Sequence, residues 1–523
     1  MRMTIHFRSA FYAWMLALGT HGVAVGAELA WFDGVRPGPQ AHQAVELITA
    51  ASTHGLEPRD YDADVLRQAV LRATQNTALD PSSAATLDRK LTQAMERYLA
   101  DLRRGRIDPQ QLPHGYASPR RDDFDAASYL QAALAGRRLP EAARGAAPRI
   151  PQYERLRDAL VKFRLLVDHP AWSAPLPALP SGAKGAPPKL EPGQPWPGVP
   201  MLRQRLIALG YLEPDPAVSM DYDGLLVEAL RSFQLRHGLT ADGVIGKATL
   251  AQLGVSPAVR MRQIELTMER LRWTPLLQAS RMVVINVPEF VLRAYEVQGE
   301  QVIVQESMKV IVGKAMDTRT PLFVEQMRYI EFSPYWNVPP SIARGEVVPR
   351  VSRDPGYFDR EGFEFVTGSG QIVTALSPAM LDEVIAGRAR IRQRPSSHNA
   401  LGDIKFVFPN SENVFLHHTP AVRLFERDRR DFSHGCIRIE NPVELARFVL
   451  KEMPEWTEDR IREAMGRGES ATLRLAEPVP VLIAYGTVIV KAGRIHFFDD
   501  VYSHDRRLDA ALRERSRRLA SSQ

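Results

Sequence analysis

Residues Phe415–Pro442 read FLHHTPAVRLFERDRRDFSHGCIRIENP, and the rest of the chain is organised around them. The stretch holds the only cysteine among 523 residues, Cys436, and three of the 13 histidines, His417, His418 and His434. A single cysteine forms no intramolecular disulfide. Cys436 sits in a His-Gly-Cys turn, two residues after His434 and nineteen after His417. A thiol placed among histidines is a candidate nucleophile with candidate bases beside it. Val414-Phe415-Leu416 is apolar and β-prone, so His417 falls at or near a strand end. Gly435 lets the backbone turn tightly, and Ile437 anchors the strand that follows. Such a turn can expose a sulfur beside backbone N–H groups that suit an oxyanion. A free thiol ionises near pH 8.5, so activation requires a histidine or a positive field.

The order His, then Cys disfavours the NlpC/P60 and papain-like pattern, in which the cysteine precedes its histidine. His496 and His504 follow Cys436 and keep that alternative open. A zinc site built from Cys436, His417, His418 and His434 would lack the ligand spacing of a known closed structural site. The expectation is no metal and no cofactor.

Working outward, the length predicts three or four domains. Hydrophobic content of 45% and charged content of 24% are those of a globular protein. The net charge of +6 suits an anionic partner such as cell wall or membrane surface. No nucleic-acid-binding motif is present, so no nucleic acid partner is expected. Arg2 and Arg8, the apolar run Ala10–Leu18 and the small residues Val25-Gly26-Ala27 read as a cleavable export signal over 1–27. An uncleaved anchor is the alternative, and no other segment could span a bilayer. A lone thiol kept in an oxidising compartment points to chemical use.

Residues 28–170 carry helical spacing with Gly-then-Pro stops and read as a helical scaffold domain. Residues 171–200 are rich in Pro, Gly and Ala and read as a linker. Residues 201–256 predict three short helices around Val227, Leu230, Phe233 and Gln234. From 280 to 490 the texture turns to short β-branched runs broken by turn residues, a mainly-β domain. Residues 341–400 interrupt it with a helical and loop-like insertion, placed as a lid would be. Val479–Val490 reads as strands completing the sheet, and 491–523 as a C-terminal extension. The fold class is multidomain α+β.

Two stretches resemble known families. The words L-x-x-L-G-Y-L and A-L-R-S-F-Q-x-x-H-G-L-x-x-D-G-x-I-G-x-x-T-L-x-x-L over 201–254 resemble the three-helix peptidoglycan-binding module. His417, then Ser433-His434-Gly435-Cys436-Ile437-Arg438, resembles the YkuD-type L,D-transpeptidase signature. The words LHxTPxxxLFxRxxRxFSHGCIR, NALGxxKFxFPN and PVPVxIxYxT resemble its large, YcbB-like Gram-negative subfamily. That subfamily joins a helical scaffold domain, a peptidoglycan-binding module and a YkuD-type catalytic domain with an inserted capping subdomain.

The resemblance implies a periplasmic cysteine acyltransferase of cell-wall biogenesis and cell shape. Cys436 would take a tetrapeptide stem with loss of D-Ala and pass it to an amine, forming 3-3 crosslinks. His417 matches the general base. Ser433, His434, Gly435 and Arg438 would shape the turn, supply oxyanion N–H groups and orient the substrate. Tyr335, Trp336, Asn399 and His418 are groove candidates. Peptidoglycan stem peptides are the expected partners, with other wall synthases as candidates. A non-catalytic wall-binding scaffold, an L,D-carboxypeptidase and a lipoprotein-attaching variant are the alternatives. The sequence departs from the family at His418, where relatives often carry Asp, Ser or Gly, and at Pro395–Gly402 (PSSHNALG).

Overall fold

The computed structural model describes residues 29–34, 36–75, 79–112, 123–181, 185–214, 221–274, 279–299, 301–315 and 318–521. The export segment read at 1–27 lies outside them. Among the described residues no helix is long and apolar enough to cross a membrane.

The N-terminal part is built from helices Pro39–Thr49, Ala63–Gln75, Pro81–Arg104, Ala126–Ala135, Leu139–Ala146 and Pro151–Leu165. The longest starts where its sequence says it should. Asp80 accepts from the Ser82 and Ser83 N–H groups, and Pro81 takes the first position, where no N–H is needed. Trp31, Tyr61, Leu91, Tyr98, Tyr153 and Leu156 fill its core.

Helices Val199–Ala208, Gly224–Arg236 and Lys247–Gly254 form a second unit around Leu202, Leu206, Leu230 and Phe233. Gln234 staples it: its amide donates to the Val244 carbonyl (2.9 Å) and accepts from the Gly243 N–H (2.9 Å). The Pro/Gly-rich segment read as a linker packs onto this unit instead. Buried Arg205 donates to the Ala171 and Ala174 carbonyls (2.9 and 2.6 Å), Trp196 to Ala178 (3.0 Å), and Leu190 bridges Ile245. A buried guanidinium needs acceptors, and extended backbone without a ladder of its own supplies them.

After the connecting helix Pro257–Leu271 the chain enters a nine-stranded sheet. Its strands are β1 (Arg281–Asn286), β2 (Val291–Gln298), β3 (Gln301–Gly313), β4 (Phe323–Phe332), β5 (Ile404–Val407), β6 (Leu416–His417), β7 (Asp431–Ser433), β8 (Ile437–Ile439) and β9 (Ala471–Ala484). They lie in the order β7-β3-β8-β6-β5-β4-β9-β1-β2, and β2 also pairs with β3, which closes the sheet on itself. Ile285, Leu292, Ile330, Ile404, Phe406, Leu416, Ile437 and Ile483 point into its core.

The insertion between β4 and β5 is not merely helical and loop-like. It carries a four-stranded sheet of Trp336–Asn337, Ala389–Gln393, Phe363–Thr367 and Ile372–Val373, in that order, with its own core of Val351, Phe358, Phe365 and Ile391. The end of the chain also departs from the sequence reading. Val488–Lys491 leaves the main sheet, pairs with Arg494–Phe497, and packs on the N-terminal helical core. The final helix, His504–Ser521, packs Leu508 and Leu512 with Leu266 and Trp273, and its Arg515 meets Asp101 of the N-terminal helices at 2.7 Å.

Candidate active site

Strand register assembles the site. β6 runs parallel to β8, with Leu416 opposite Ile437 and His417 opposite Arg438. β5 runs antiparallel to β6, with Lys405 opposite His417. Side chains alternate across a strand, so Leu416, Ile437 and Phe406 enter the core while Lys405, His417 and Arg438 share the other face. Cys436 precedes β8 by one residue and falls on that same face, beside Phe415; the Ile437 N–H to Phe415 carbonyl bond (3.1 Å) fixes this alignment.

The thiol is half-buried, with its sulfur 3.7 Å from the Asn413 carbonyl. Burial raises its pKa; a backbone hydrogen bond at Phe415 and the charges of Lys405 and Arg438 oppose that rise. His417 is fully enclosed. Burial, reinforced by Arg438, pushes its pKa down to about 3, against hydrogen bonds to the His418 and Leu401 backbone. The ring is therefore neutral at pH 7. Nδ1 lies 2.5 Å from the His418 carbonyl, which can only accept; a proton held there leaves the Nε2 lone pair free.

The turn is held by hydroxyls. Ser433 Oγ donates to the Cys436 carbonyl (2.5 Å) and accepts from the Gly435 N–H (3.1 Å). Gly435 has φ +116°, a backbone state a side chain would strain. Its N–H is spent on Ser433, so it is not a free oxyanion donor; the His434 and Cys436 N–H groups are the turn's remaining candidates. His434 meets Glu346 of the insertion, Nε2 to Oε1 2.7 Å. Arg438 is half-buried, and its enclosed Nε has no hydrogen-bond partner among the described residues. A guanidinium on the face of a thiol and an imidazole is chemically able to pair with an anion.

The groove candidates separate. His418 acts through its carbonyl; its ring lies 3.3 Å from Asp403. Asn399 is fully buried and is a fastening rather than a groove residue: it donates to the Pro334 and Arg394 carbonyls (3.0 Å each) and accepts from the Leu401 N–H (2.8 Å). Tyr335 is exposed, with the Arg392 guanidinium 4.0 Å over its ring. Trp336 packs on the core of the insertion.

The sequence reading missed the residues that brace the turn from behind. Thr318 donates to the Ser433 carbonyl (3.0 Å), Thr320 to the Gly435 carbonyl (2.8 Å), and the Tyr502 hydroxyl to Gly313 (2.6 Å). Nothing local marks them, because their partners lie over a hundred residues away. Lys405 was visible within NALGxxKFxFPN, but only the sheet register brings it to the site.

Comparison with known proteins agrees with this geometry. A family model described as the L,D-transpeptidase catalytic domain matches residues 280–481. A "Putative peptidoglycan binding domain" matches 197–253, and a scaffold domain matches 24–160. The chain is 29% identical over 252 residues to a Haemophilus influenzae protein named "Putative L,D-transpeptidase", a match covering 48% of this chain and 49% of that one. The chain thus spans about half the length of that curated relative. Two solved structures are similar at a TM-score of 0.17. One is Bd1075 of Bdellovibrio bacteriovorus, 14% identical over 45% of this chain and 55% of that one. The other is a fused Zn-dependent amidase/peptidase/peptidoglycan-binding protein of Clostridium acetobutylicum, 11% identical over 57% of this chain and all of that one. Scores that low carry no argument about fold or chemistry. The sequence families and the site agree: residues 280–481 are a YkuD-type L,D-transpeptidase catalytic domain, joined in one chain to a scaffold domain and a peptidoglycan-binding domain.

Proposed function

We propose that the chain is exported through residues 1–27, binds peptidoglycan through its module, and forms 3-3 crosslinks outside the cytoplasm by acyl transfer at Cys436. The observation that carries the proposal is the neutral, carbonyl-anchored His417 on the same sheet face as the one thiol of the chain. In the first half-reaction His417 Nε2 takes the thiol proton as the sulfur attacks the carbonyl of the third stem residue. The His434 and Cys436 N–H groups receive the oxyanion. The bond to D-Ala breaks, its nitrogen takes the proton back from His417, and a thioester remains on Cys436. In the second half-reaction an acceptor amine attacks the thioester, His417 collects its proton, and Cys436 leaves as the thiol. Arg438, on the same sheet face as Cys436 and His417, holds a substrate carboxylate.

Intact-mass measurement after incubation with a carbapenem tests this. The wild type gains one adduct and Cys436→Ala gains none. An unmodified wild type would instead favour a wall-binding scaffold without catalysis.

A further inference from the structure

We infer that Lys405 is a positioning residue for the thiol, holding a fixed positive charge on the reactive face that stabilises the Cys436 thiolate as the proton leaves. The inference rests on Cys436 being the nucleophile, and geometry carries it. One register row crosses the sheet through Glu331, Lys405, His417 and Arg438, on β4, β5, β6 and β8. The Lys405 ammonium lies 4.4 Å from the centre of the Phe415 ring, and Phe415 is the strand neighbour of Cys436. That ring stands edge-on to His417 with centroids 5.7 Å apart. Lys405, Phe415, His417 and Cys436 therefore form one continuous patch.

Lys405 is not free to wander from it. Its Nζ is 3.0 Å from Glu331 Oε2, its side chain is only 17% exposed, and the aromatic face below adds a cation–π contact. Arg438, the other cation of the face, is available for a substrate carboxylate. Lys405 is already occupied by Glu331 and leaves the anion-binding task to it. A charge that stays put favours a developing anion without reorganisation. Two carboxylates also meet histidines nearby among the described residues: Glu346 with His434, on the insertion and the turn, and Asp403 with His418, on the loop before β5 and at the end of β6.

The chain has a single cysteine, so alkylation by iodoacetamide, followed by intact mass against pH, reads this thiol alone. Lys405→Met should move the midpoint of alkylation up by about one pH unit, with about tenfold slower reaction near neutral pH. Lys405→Arg should restore most of the wild-type profile. Glu331→Gln, which leaves the ammonium uncompensated, should move the midpoint down. A folded Lys405→Met protein with the wild-type midpoint would overturn the inference. Should that variant fail to fold, an unmoved midpoint in Glu331→Gln would do so. Carbapenem acylation, measured in parallel, separates the two levels. Absent adducts with shifted alkylation midpoints would sink the acyl-transfer reading and leave the charge effect standing.

Discussion

His417 owes its readiness as a base to its neighbours' backbone more than to their side chains. Burial keeps the ring neutral, and the His418 carbonyl favours a proton on Nδ1. His417→Gln should stay folded and lose about 10²- to 10⁴-fold in carbapenem acylation rate, the usual worth of a positioned base. His418→Ala keeps the carbonyl that anchors His417, so its acylation rate should stay near wild type. A loss as large as that of His417→Gln would show that the His418 ring itself takes part. Gly402 makes a sharper probe of the same anchor. It has φ +62°, and a Cβ there would come within 2.6 Å of the His418 ring nitrogen. Gly402→Ala should therefore cost about 1–2 kcal/mol in thermal unfolding through backbone strain. It should also slow acylation, because the displaced His418 carries its carbonyl with it.

At the scale of elements, the insertion is fastened to the catalytic sheet by Asn399, whose amide spans Pro334 before the insertion and Arg394 after its last strand. Asn399→Ala leaves buried carbonyls without donors. It should cost about 1–3 kcal/mol and speed hydrogen exchange around residues 334–337 and 393–402, with the 199–254 helices unaffected. Protection unchanged at those joints would show that another contact holds them. Much of the architecture was legible because it rests on local signals. The helix stops and the Ser433–Arg438 turn each carry their own punctuation. The insertion's sheet was not legible, since FEFVT and ARIRQ give only five residues of alternation each. The packing of residues 171–200 was hidden because it depends on Arg205, a charged residue on a helix, being buried against their carbonyls. The site divides in the same way. Its proposed nucleophile and base, Cys436 and His417, were visible in one stretch, while Thr318, Thr320 and Lys405 reach it only through the closed sheet.

At the scale of the whole molecule, the 488–497 hairpin packs into the N-terminal core, and the last helix is tied to it by Arg515 while Leu508 and Leu512 pack with Leu266 and Trp273. The connecting helix is pinned there by Glu269, buried between Arg106 (3.1 Å) and Arg272 (2.7 Å). These joints also bury histidines. His54, His417 and His504 have pKa values pushed down to about 3, and His496 to about 4; His237 lies well below its usual range. Burial is the first cause in every case, with neighbouring arginines or lysines adding to it. Each ring stays neutral in the fold, yet takes a proton near pH 6.5 in the unfolded chain. Between about pH 6.5 and pH 3–4 the unfolded state thus binds more protons, and stability falls as pH falls. The contribution is complete above pH 6.5, and one such histidine costs about 2 kcal/mol of stability by pH 5. Because the five are spread over the helical core, the module, the catalytic sheet and the C-terminal segment, acid should loosen all of them together. Thermal unfolding followed from pH 8 to pH 4 should give a flat melting temperature above pH 7 and a steep fall below pH 6. His54→Gln should make that fall shallower without touching Cys436. A melting temperature that stayed level down to pH 5 would mean that these rings take up protons in the folded chain, and that the joints open without breaking it.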